Sequence, residues 1–261
     1  MTRPTELIHP SSFDYLNGLK EDDLIHRYCS IPELYAVVRE KLTLTCPFAW
    51  DDLFENPLMR AKLTNSNGEN VDLQEAGRKL FCQSWTLNDE VDGMWKLYGN
   101  RGSGVRISAR AKDLYFQAYN SHDFYRNEAV FTKIGRIEYI DELELRNKFE
   151  NEAEFVERFM KLNCEGYYES LLYKRKAYAV ESEVRLIAHD FDGRFSCPRT
   201  LRLELATKGH DWIENVTLGP AIDVDTAEAH CDRLTSLGFP KEKIKSSTLY
   251  GALKYSIKLD H

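Results

Sequence analysis

The sequence lacks the signals of an exported or membrane-spanning protein. No stretch reaches 18 consecutive apolar residues, which argues against a transmembrane helix. Residues 1–20 include Pro, Asp and Glu but no apolar segment of export length, so we expect a cytoplasmic protein without a membrane partner. Six cysteines are present, yet none forms a C-x-x-C pair, and their spacing predicts neither a zinc site nor a disulfide framework.

Several catalytic motifs are also missing. The sequence contains no H-E-x-x-H, no G-x-S-x-G and no H-x-E followed by C-x-x-C, so metallohydrolase, α/β-hydrolase and cytidine deaminase readings lose support. Gly102 and Gly104 belong to neither a Walker motif nor a dinucleotide fingerprint. The net charge of −7 argues against whole-surface attraction to nucleic acid. A local basic cleft stays open, with Lys174, Arg175 and Lys176 as its candidate.

What is present describes an ordinary globular protein. The 261 residues are 43% hydrophobic and 30% charged, and the 12% aromatic fraction is on the high side. Strand and helix patterns are mixed without regular β-α-β-α alternation, and no linker is evident. We therefore expect one α+β domain over residues 1–261, with a mixed, largely antiparallel sheet flanked by helices.

Local patterns place the individual elements. Apolar alternation predicts strands at Leu24–Tyr28, Leu42–Phe48, Lys79–Thr86, Val105–Ser108, Ile134–Ile140, Tyr178–Ala188, Arg202–Leu205 and Val216–Leu218. Helices are expected after the capping box of Ser30 and Glu33, over Val91–Tyr98, over Glu152–Tyr173, and from Asp225 to Gly238. Asp192-Gly193 predicts a hairpin turn, and Thr64–Asn70 an exposed loop.

The segment from Tyr178 to Arg185 carries the most informative chemistry. Alternation along a strand would place Glu181, Glu183 and Arg185 on one face, with the two carboxylates about 7 Å apart. A carboxylate oriented by an arginine can accept a hydrogen bond from a sugar hydroxyl or stabilise a developing cation. The alternative is a solvated outer face with surface ion pairs.

Two further groups suggest ligand contacts. His26 and Arg27 precede a helix N-terminus, where free backbone N–H groups favour an anion. The alternative is a surface pair beside an ordinary cap. Trp95 and Tyr98 are three residues apart, so on one helical face they could stack on a flat ring or serve as core anchors.

A cluster of acids lies between Trp50 and Glu55. Asp51, Asp52 and Glu55 could together hold a divalent cation. They could also cap a turn, and this is the reading that we favour.

The motifs, taken in order, resemble those of the bacterial DUF2971 domain family. The family pattern contains F-N-D-x-x-E, M-W-x-x-Y and E-x-E-x-R, and the resemblance extends from about Leu24 to Gly219. Asp51 stands where the family commonly has Asn, which keeps a turn-forming residue but adds a charge. The matching blocks are Phe48–Glu55, Phe81–Trp85, Met94–Tyr98, Gly104–Ile107, Tyr178–Arg185 and Leu218-Gly219.

The order of these blocks is also more remotely similar to the ADP-ribosyltransferase fold. That resemblance implies an NAD-dependent transferase that modifies a protein or nucleic acid, as a toxin or phage-defence effector with an antitoxin or immunity partner. It implies no bound metal. The implied catalytic residues are Glu181, Glu183 and Arg185, and the implied NAD-binding residues are His26, Arg27, Tyr28, Ser84, Trp95 and Tyr98.

Two other functions stay open at this point. One is a non-catalytic module whose aromatic cleft binds a nucleotide or partner. The other is a metal-dependent nuclease that uses Asp51, Asp52 and Glu55.

Overall fold

A computed structural model describes residues 15–50, 52–55, 63–64, 67–71, 77–120, 130–151, 165–190 and 201–251. Within these ranges the strands are β1 (Tyr15–Leu16), β2 (Leu24–Cys29), β3 (Lys41–Thr45), β4 (Leu63–Thr64), β5 (Asn70–Val71), β6 (Leu80–Thr86), β7 (Val105–Arg110), β8 (Val130–Arg136), β9 (Glu138–Ile140), β10 (Tyr173–Arg175), β11 (Glu183–Asp190), β12 (Arg202–Ala206), β13 (Ile213–Leu218) and β14 (Ile244–Ser246). The α-helices are α1 (Ile31–Val38), α2 (Asp92–Leu97), α3 (Ala111–Asn120), α4 (Glu142–Asn151), α5 (Glu165–Ser170) and α6 (Val224–Ser236). Short 3-10 turns cover Pro47–Ala49, Leu53–Glu55, Asn100–Gly102, Lys176–Glu181 and Lys241–Lys243.

Ten of these strands form one sheet. Its main path runs β1-β8-β11-β6-β2-β7-β13-β14, and β3 joins β6 while carrying β12 on its other edge. The β1–β8 and β13–β14 pairs are parallel and the other pairs are antiparallel. The predicted α+β class with a mixed, largely antiparallel sheet is therefore confirmed.

The sheet forks at β6. At one end of β6, Thr86 pairs with His26 of β2, and nearer the other end Cys82 pairs with Thr45 of β3. Strands β2 and β3 thus share one edge of β6, and each pairs with a different part of it. The fork brings β2, β6 and the turns that follow β3 together at one place.

Strand β11 is buried along its whole length between two apolar clusters. Val184, Leu186 and Ala188 point into the largest cluster, together with residues of α1, α3 and most other strands. Ile187 points to the opposite side, into a smaller cluster with Tyr168. Side chains of a strand alternate between its faces, so the predicted two-sided pattern of this segment is confirmed from Glu183 onward.

Most predicted strands and helices are confirmed within a few residues. Ser30 accepts from the Glu33 N–H while Glu33 accepts from the Ser30 N–H, which forms the predicted capping box. The last helix begins one residue before the predicted start, after the N-cap Asp223, and Gly238 follows its end with a φ of +86°.

The polar stretch Thr64–Asn70 is exposed where it is described, as predicted, and β4 and β5 pair with each other at its two ends. Other predictions were wrong. Ile134–Ile140 is not one strand but β8 and β9, and β9 pairs with β10 in a separate small sheet. Strand β12 pairs with β3 and not with β11, so the two segments flanking Asp192-Gly193 do not form a hairpin. That dipeptide and residues 152–164 of the predicted long helix lie outside the described residues.

Among the described residues, no helix has the length and apolar character needed to cross a bilayer. The cysteines at 29, 46, 82 and 231 are free thiols, in agreement with the predicted lack of disulfides at these positions.

Candidate functional site

A cavity of about 420 Å³ lies over the fork in the sheet. Strand β2 contributes His26, Arg27 and Tyr28 to its lining, and β6 contributes three residues that start at Ser84. Other lining residues come from the turns after β3, from α2 and its end, and from the β10–β11 connection: Ala49, Trp50, Asp52, Glu55, Met94, Tyr98, Lys174, Tyr178, Glu181 and Glu183. The cavity thus collects seven of the nine predicted site residues.

The segment before β11 is not the extended strand that alternation predicts. Lys176–Glu181 forms a 3-10 turn, and Ser182 follows in the left-handed region with a φ of 44°. Val180, predicted to face the core, is 70% exposed. The reason is local bonding, because Thr86 and Asn88 donate to the carbonyls of Glu181 and Val180 and hold the turn against the end of β6.

Glu181 and Glu183 nevertheless reach the same cation. Lys174 Nζ lies 2.7 Å from Glu181 Oε2 and 3.0 Å from Glu183 Oε2. Glu55 Oε1 is the third neighbour, at 3.1 Å. An ammonium group has three N–H donors, so each carboxylate can take one of them. The expectation of a solvated outer face is wrong, since Glu181, Glu183 and Lys174 are all buried.

Arg185 lies behind the carboxylates and does not line the cavity. Its side chain is fully buried. Its Nη2 lies 2.8 Å from both Glu183 Oε1 and Glu55 Oε2, Nη1 donates to the Leu171 carbonyl, and the guanidinium packs 4.5 Å from the centre of the Trp50 ring. Predicted as a catalytic residue, Arg185 instead lies behind the cavity, with Nε, Nη1 and Nη2 all bound within the protein.

Glu183 and Lys174 are each kept ionised by the opposite charges around them. Burial opposes ionisation of Glu183, but Arg185 and Lys174, together with a hydrogen bond from Ser84, outweigh it and hold the pKa of Glu183 below its ordinary value. Burial likewise opposes the charge of Lys174, but the carboxylates, Glu183 and Glu55 first, raise its pKa. The group Glu55–Lys174–Glu181–Glu183–Arg185, called the charge cluster below, has three negative and two positive members.

On the β2 side of the cavity, His26 is uncharged and Arg27 is already bonded within the protein. Burial, assisted by the nearby Arg106, lowers the pKa of His26 to about 4, so this imidazole is neutral at pH 7. Its Nδ1 lies 2.8 Å from Ser108 Oγ. Arg27 Nη1 donates to the Ser84 carbonyl and Nη2 lies 3.4 Å from Glu33. The Glu33 carboxylate also occupies the start of α1, so the geometry favours the ordinary cap over the predicted anion site.

The aromatic residues divide into a lining set and a supporting one. Trp95 is fully buried and does not line the cavity. It packs edge-on against Tyr28 with ring centres 4.8 Å apart. Tyr98 is the C-cap of α2, lines the cavity and is 46% exposed. The expectation that Trp95 and Tyr98 form one stacking face is corrected accordingly. Tyr178, 37% exposed, is a further aromatic residue of the lining.

The acidic cluster is only partly described. Asp51 lies outside the described residues. Asp52 accepts from the Phe54 N–H, which confirms the turn-capping reading for this residue, whereas both oxygens of Glu55 are bound to Lys174 and Arg185. Within the described ranges no group of His, Cys, Asp or Glu is arranged to hold a metal ion.

Two members of the charge cluster were not predicted in these roles. Lys174 belongs to the basic run noted in the sequence, but only this member turns inward, since Arg175 and Lys176 are exposed. Glu55 was considered as a metal ligand and instead bridges the two cations. The sequence did contain a signal for both residues. Glu55 ends one of the blocks that match the family, and Lys174 comes shortly before another.

One family model matches part of this chain. Residues 94–186 match the sequence profile of DUF2971, described as a protein of unknown function. The predicted resemblance is confirmed over this segment. It begins at Met94, the first residue of the M-W-x-x-Y block, and ends just after Arg185 of the E-x-E-x-R block. The predicted extension to residues 24–93 and 187–219 is not covered by this match.

Two other comparisons complete the picture. No protein with curated annotation matches the chain. Among solved structures, the chain is similar to DarT from Thermus sp. 2.9 in complex with ADP-ribosylated ssDNA, with 9% sequence identity and a TM-score of 0.38, over 88% of this chain and 96% of that chain. A likeness this remote does not establish a shared activity.

Proposed function

We propose that the cavity binds NAD⁺ and that the protein transfers the ADP-ribose group to a macromolecular acceptor, a protein or a nucleic acid. The observation that carries this proposal is the composition of the cavity floor. Three carboxylates face two cations there, so by formal charge the cluster has one excess negative charge, and aromatic residues line the same cavity as its carboxylates. Such a floor favours a ligand that is cationic and aromatic.

The reaction would use that charge in a definite way. When the bond between nicotinamide and ribose breaks, its electron pair leaves with the nicotinamide, and positive charge develops on the ribose. A preorganised carboxylate in a water-poor site stabilises such charge more in the transition state than in the ground state. The acceptor atom then bonds to the ribose carbon and loses its proton, for which a carboxylate is a suitable base.

The cavity wall supports the same ligand. Tyr98 and Tyr178 are partly exposed at the cavity, which leaves ring surface for contact with a flat heterocycle. His26 is neutral, so it adds no positive charge that would repel the nicotinamide ring. Arg27 is the arginine of the lining; Nη1 is bound to the Ser84 carbonyl and Nη2 lies 3.4 Å from Glu33, so a phosphate would have to take one of its remaining N–H donors.

The test is nicotinamide release from NAD⁺, followed by mass analysis of protein, DNA and RNA acceptors. We expect the full chain to release nicotinamide and to add ADP-ribose to one acceptor class. Glu181→Gln should lower the rate by about 100-fold or more, the usual effect of removing a transition-state contact. Glu204→Gln is the matched control, because Glu204 belongs to a surface pair with Lys41, and it should leave the rate unchanged.

The remaining outcomes separate the other functions. NAD⁺ binding without turnover would overturn the transferase and favour a binding module. Cleavage of nucleic acid that stops on chelation would favour the nuclease. A toxin or defence role, with an antitoxin or immunity partner, requires in addition that expression of the active chain arrests growth and that the Glu181→Gln variant does not.

A further inference from the structure

The three carboxylates of the charge cluster are not equivalent. Glu55 binds Lys174 with one oxygen and Arg185 with the other. Glu183 does the same. Glu55 and Glu183 therefore each bridge both cations of the cluster.

Glu181 is bound in a different way. Its Oε2 lies 2.7 Å from Lys174 Nζ, but its Oε1 accepts a 2.6 Å hydrogen bond from the neutral Tyr98 hydroxyl. Lys174 donates hydrogen bonds to Glu181 Oε2 and to Glu183 Oε2. The second oxygen of Glu181 is therefore held by a neutral donor, whereas both oxygens of Glu55 and of Glu183 lie against cations.

The partner of that oxygen is replaceable. Tyr98 is 46% exposed and follows the last residue of α2, so its side chain is held less firmly than one within the core. Burial, and then the hydrogen bond to Glu181, raise the pKa of Tyr98, so it remains a neutral donor. An alcohol of a ligand has the same donor group and could take its place without leaving the carboxylate unpaired.

The backbone of Glu181, in contrast, is fixed. Its carbonyl accepts from Thr86, the carbonyl of Val180 accepts from Asn88, and the Leu87 N–H donates to the carbonyl of Ser182. The carboxylate is therefore anchored at the cavity while its outer oxygen can exchange partners. A group that must bind and release substrate needs this combination.

We propose that Glu181 is the carboxylate that contacts the ribose of the ligand, that a ribose hydroxyl replaces Tyr98 on its outer oxygen, and that Glu183 is a positioning residue that holds Lys174 and Arg185. The assignment rests on the proposed function. It distinguishes two glutamates that the sequence pattern treats alike, and it makes Tyr98 an internal competitor of the ligand.

The test compares three variants with the wild type and with the Glu204→Gln control. For each, we would measure the melting temperature, the binding of NAD⁺ and ADP-ribose by calorimetry, and the release of nicotinamide. Glu181→Gln should keep the melting temperature within a few degrees, yet lose about 100-fold in kcat and weaken ADP-ribose binding. Glu183→Gln should melt several degrees lower and keep kcat within about tenfold when assayed well below its melting temperature.

Tyr98→Phe gives the most specific readout. The ring stays but the competing hydroxyl is gone, so ADP-ribose should bind about fivefold more tightly, the factor that corresponds to one ordinary hydrogen bond. KM for NAD⁺ should fall with it while kcat is retained. Weaker binding in this variant would overturn the exchange of hydroxyls.

The outcomes also separate this inference from the proposed function. Binding of NAD⁺ or ADP-ribose without turnover overturns the transferase, and the inference is then decided by whether Glu181→Gln weakens and Tyr98→Phe tightens that binding. No binding of either ligand at millimolar concentration overturns both. Equal losses of kcat in folded Glu181→Gln and Glu183→Gln would leave the transferase in place and overturn the division of roles.

Discussion

The two faces of β11 are equally buried but chemically opposite. Val184, Leu186 and Ala188 enter the main apolar cluster, whereas Glu183 and Arg185 enter the charge cluster on the other face. Apolar burial stabilises a fold by itself, but buried charges stabilise it only when each is matched, and apolar replacements of such groups are often neutral or better. Stability alone therefore explains the first face and does not explain the second, which adjoins the cavity.

The largest expected effects on stability come from substitutions that change one face of β11 at a time. Leu186→Ala should lower the free energy of unfolding by about 2–5 kcal/mol through the cavity it leaves. Arg185→Met should cost about 3–5 kcal/mol, because Glu55 and Glu183 would lose a buried partner. Urea denaturation measures both.

Measurement of activity distinguishes the two faces of β11 further. At a temperature where both variants remain folded, Leu186→Ala should retain nicotinamide release and Arg185→Met should lose it, since only the latter disturbs the carboxylates. If Arg185→Met is as stable and as active as the wild type, the polar face is not a coupled charge cluster.

A second, smaller effect is expected from pH. Burial lowers the pKa of His26 to about 4, from an ordinary value of 6.5. Between these values the unfolded chain binds a proton that the folded chain does not, so stability falls as the pH drops from 6.5 toward 4. From pH 7 to pH 5 this residue should account for a loss of about 2 kcal/mol.

The matched variant is His26→Gln, which keeps a side-chain amide near Ser108 but does not titrate. Its midpoint in urea should depend less on pH between 7 and 5 than that of the wild type. An unchanged dependence would mean that the folded His26 accepts a proton as readily as the unfolded one. The pKa of His189 in β11 is also lowered by burial, to about 4, so part of the dependence remains.

The smallest effect concerns the turn between the two glutamates. Ser182 has a φ of 44°, a conformation that glycine adopts without steric cost. Ser182→Gly should change stability by less than about 1 kcal/mol and preserve activity, because relief of strain is offset by a more flexible unfolded chain. Ser182→Val should be clearly destabilising, since a β-branched residue is disfavoured there. Equal melting temperatures for the two variants would show that the turn relaxes.

The sequence predicted the fold class and most elements, because hydrophobic periodicity and capping residues act locally. Ser30 with Glu33 and the alternation of Val184, Leu186 and Ala188 are examples. It also identified Glu181, Glu183 and Arg185 as the informative group. What it could not provide was pairing between distant segments.

The errors share that cause. The bend at Ser182 depends on hydrogen bonds to the end of β6, and the role of Lys174 depends on Glu55, which is more than a hundred residues away in the chain. Trp95 packs against Tyr28, whereas Tyr98 donates to Glu181, and both partners are distant in the sequence. Local patterns contain no information on such contacts, so they led to the predictions of a strand, a local basic cleft and a shared helical face.

The most direct test of the central claim is a comparison of NAD⁺ with NADH. The two ligands differ at the nicotinamide ring, which is cationic in NAD⁺ and neutral in NADH. An excess negative charge on the cavity floor predicts tighter binding of NAD⁺ to the wild type by calorimetry, and loss of that preference in Glu181→Gln, where the cluster is neutral. Equal affinities, or tighter binding of NADH to the wild type, would contradict the account.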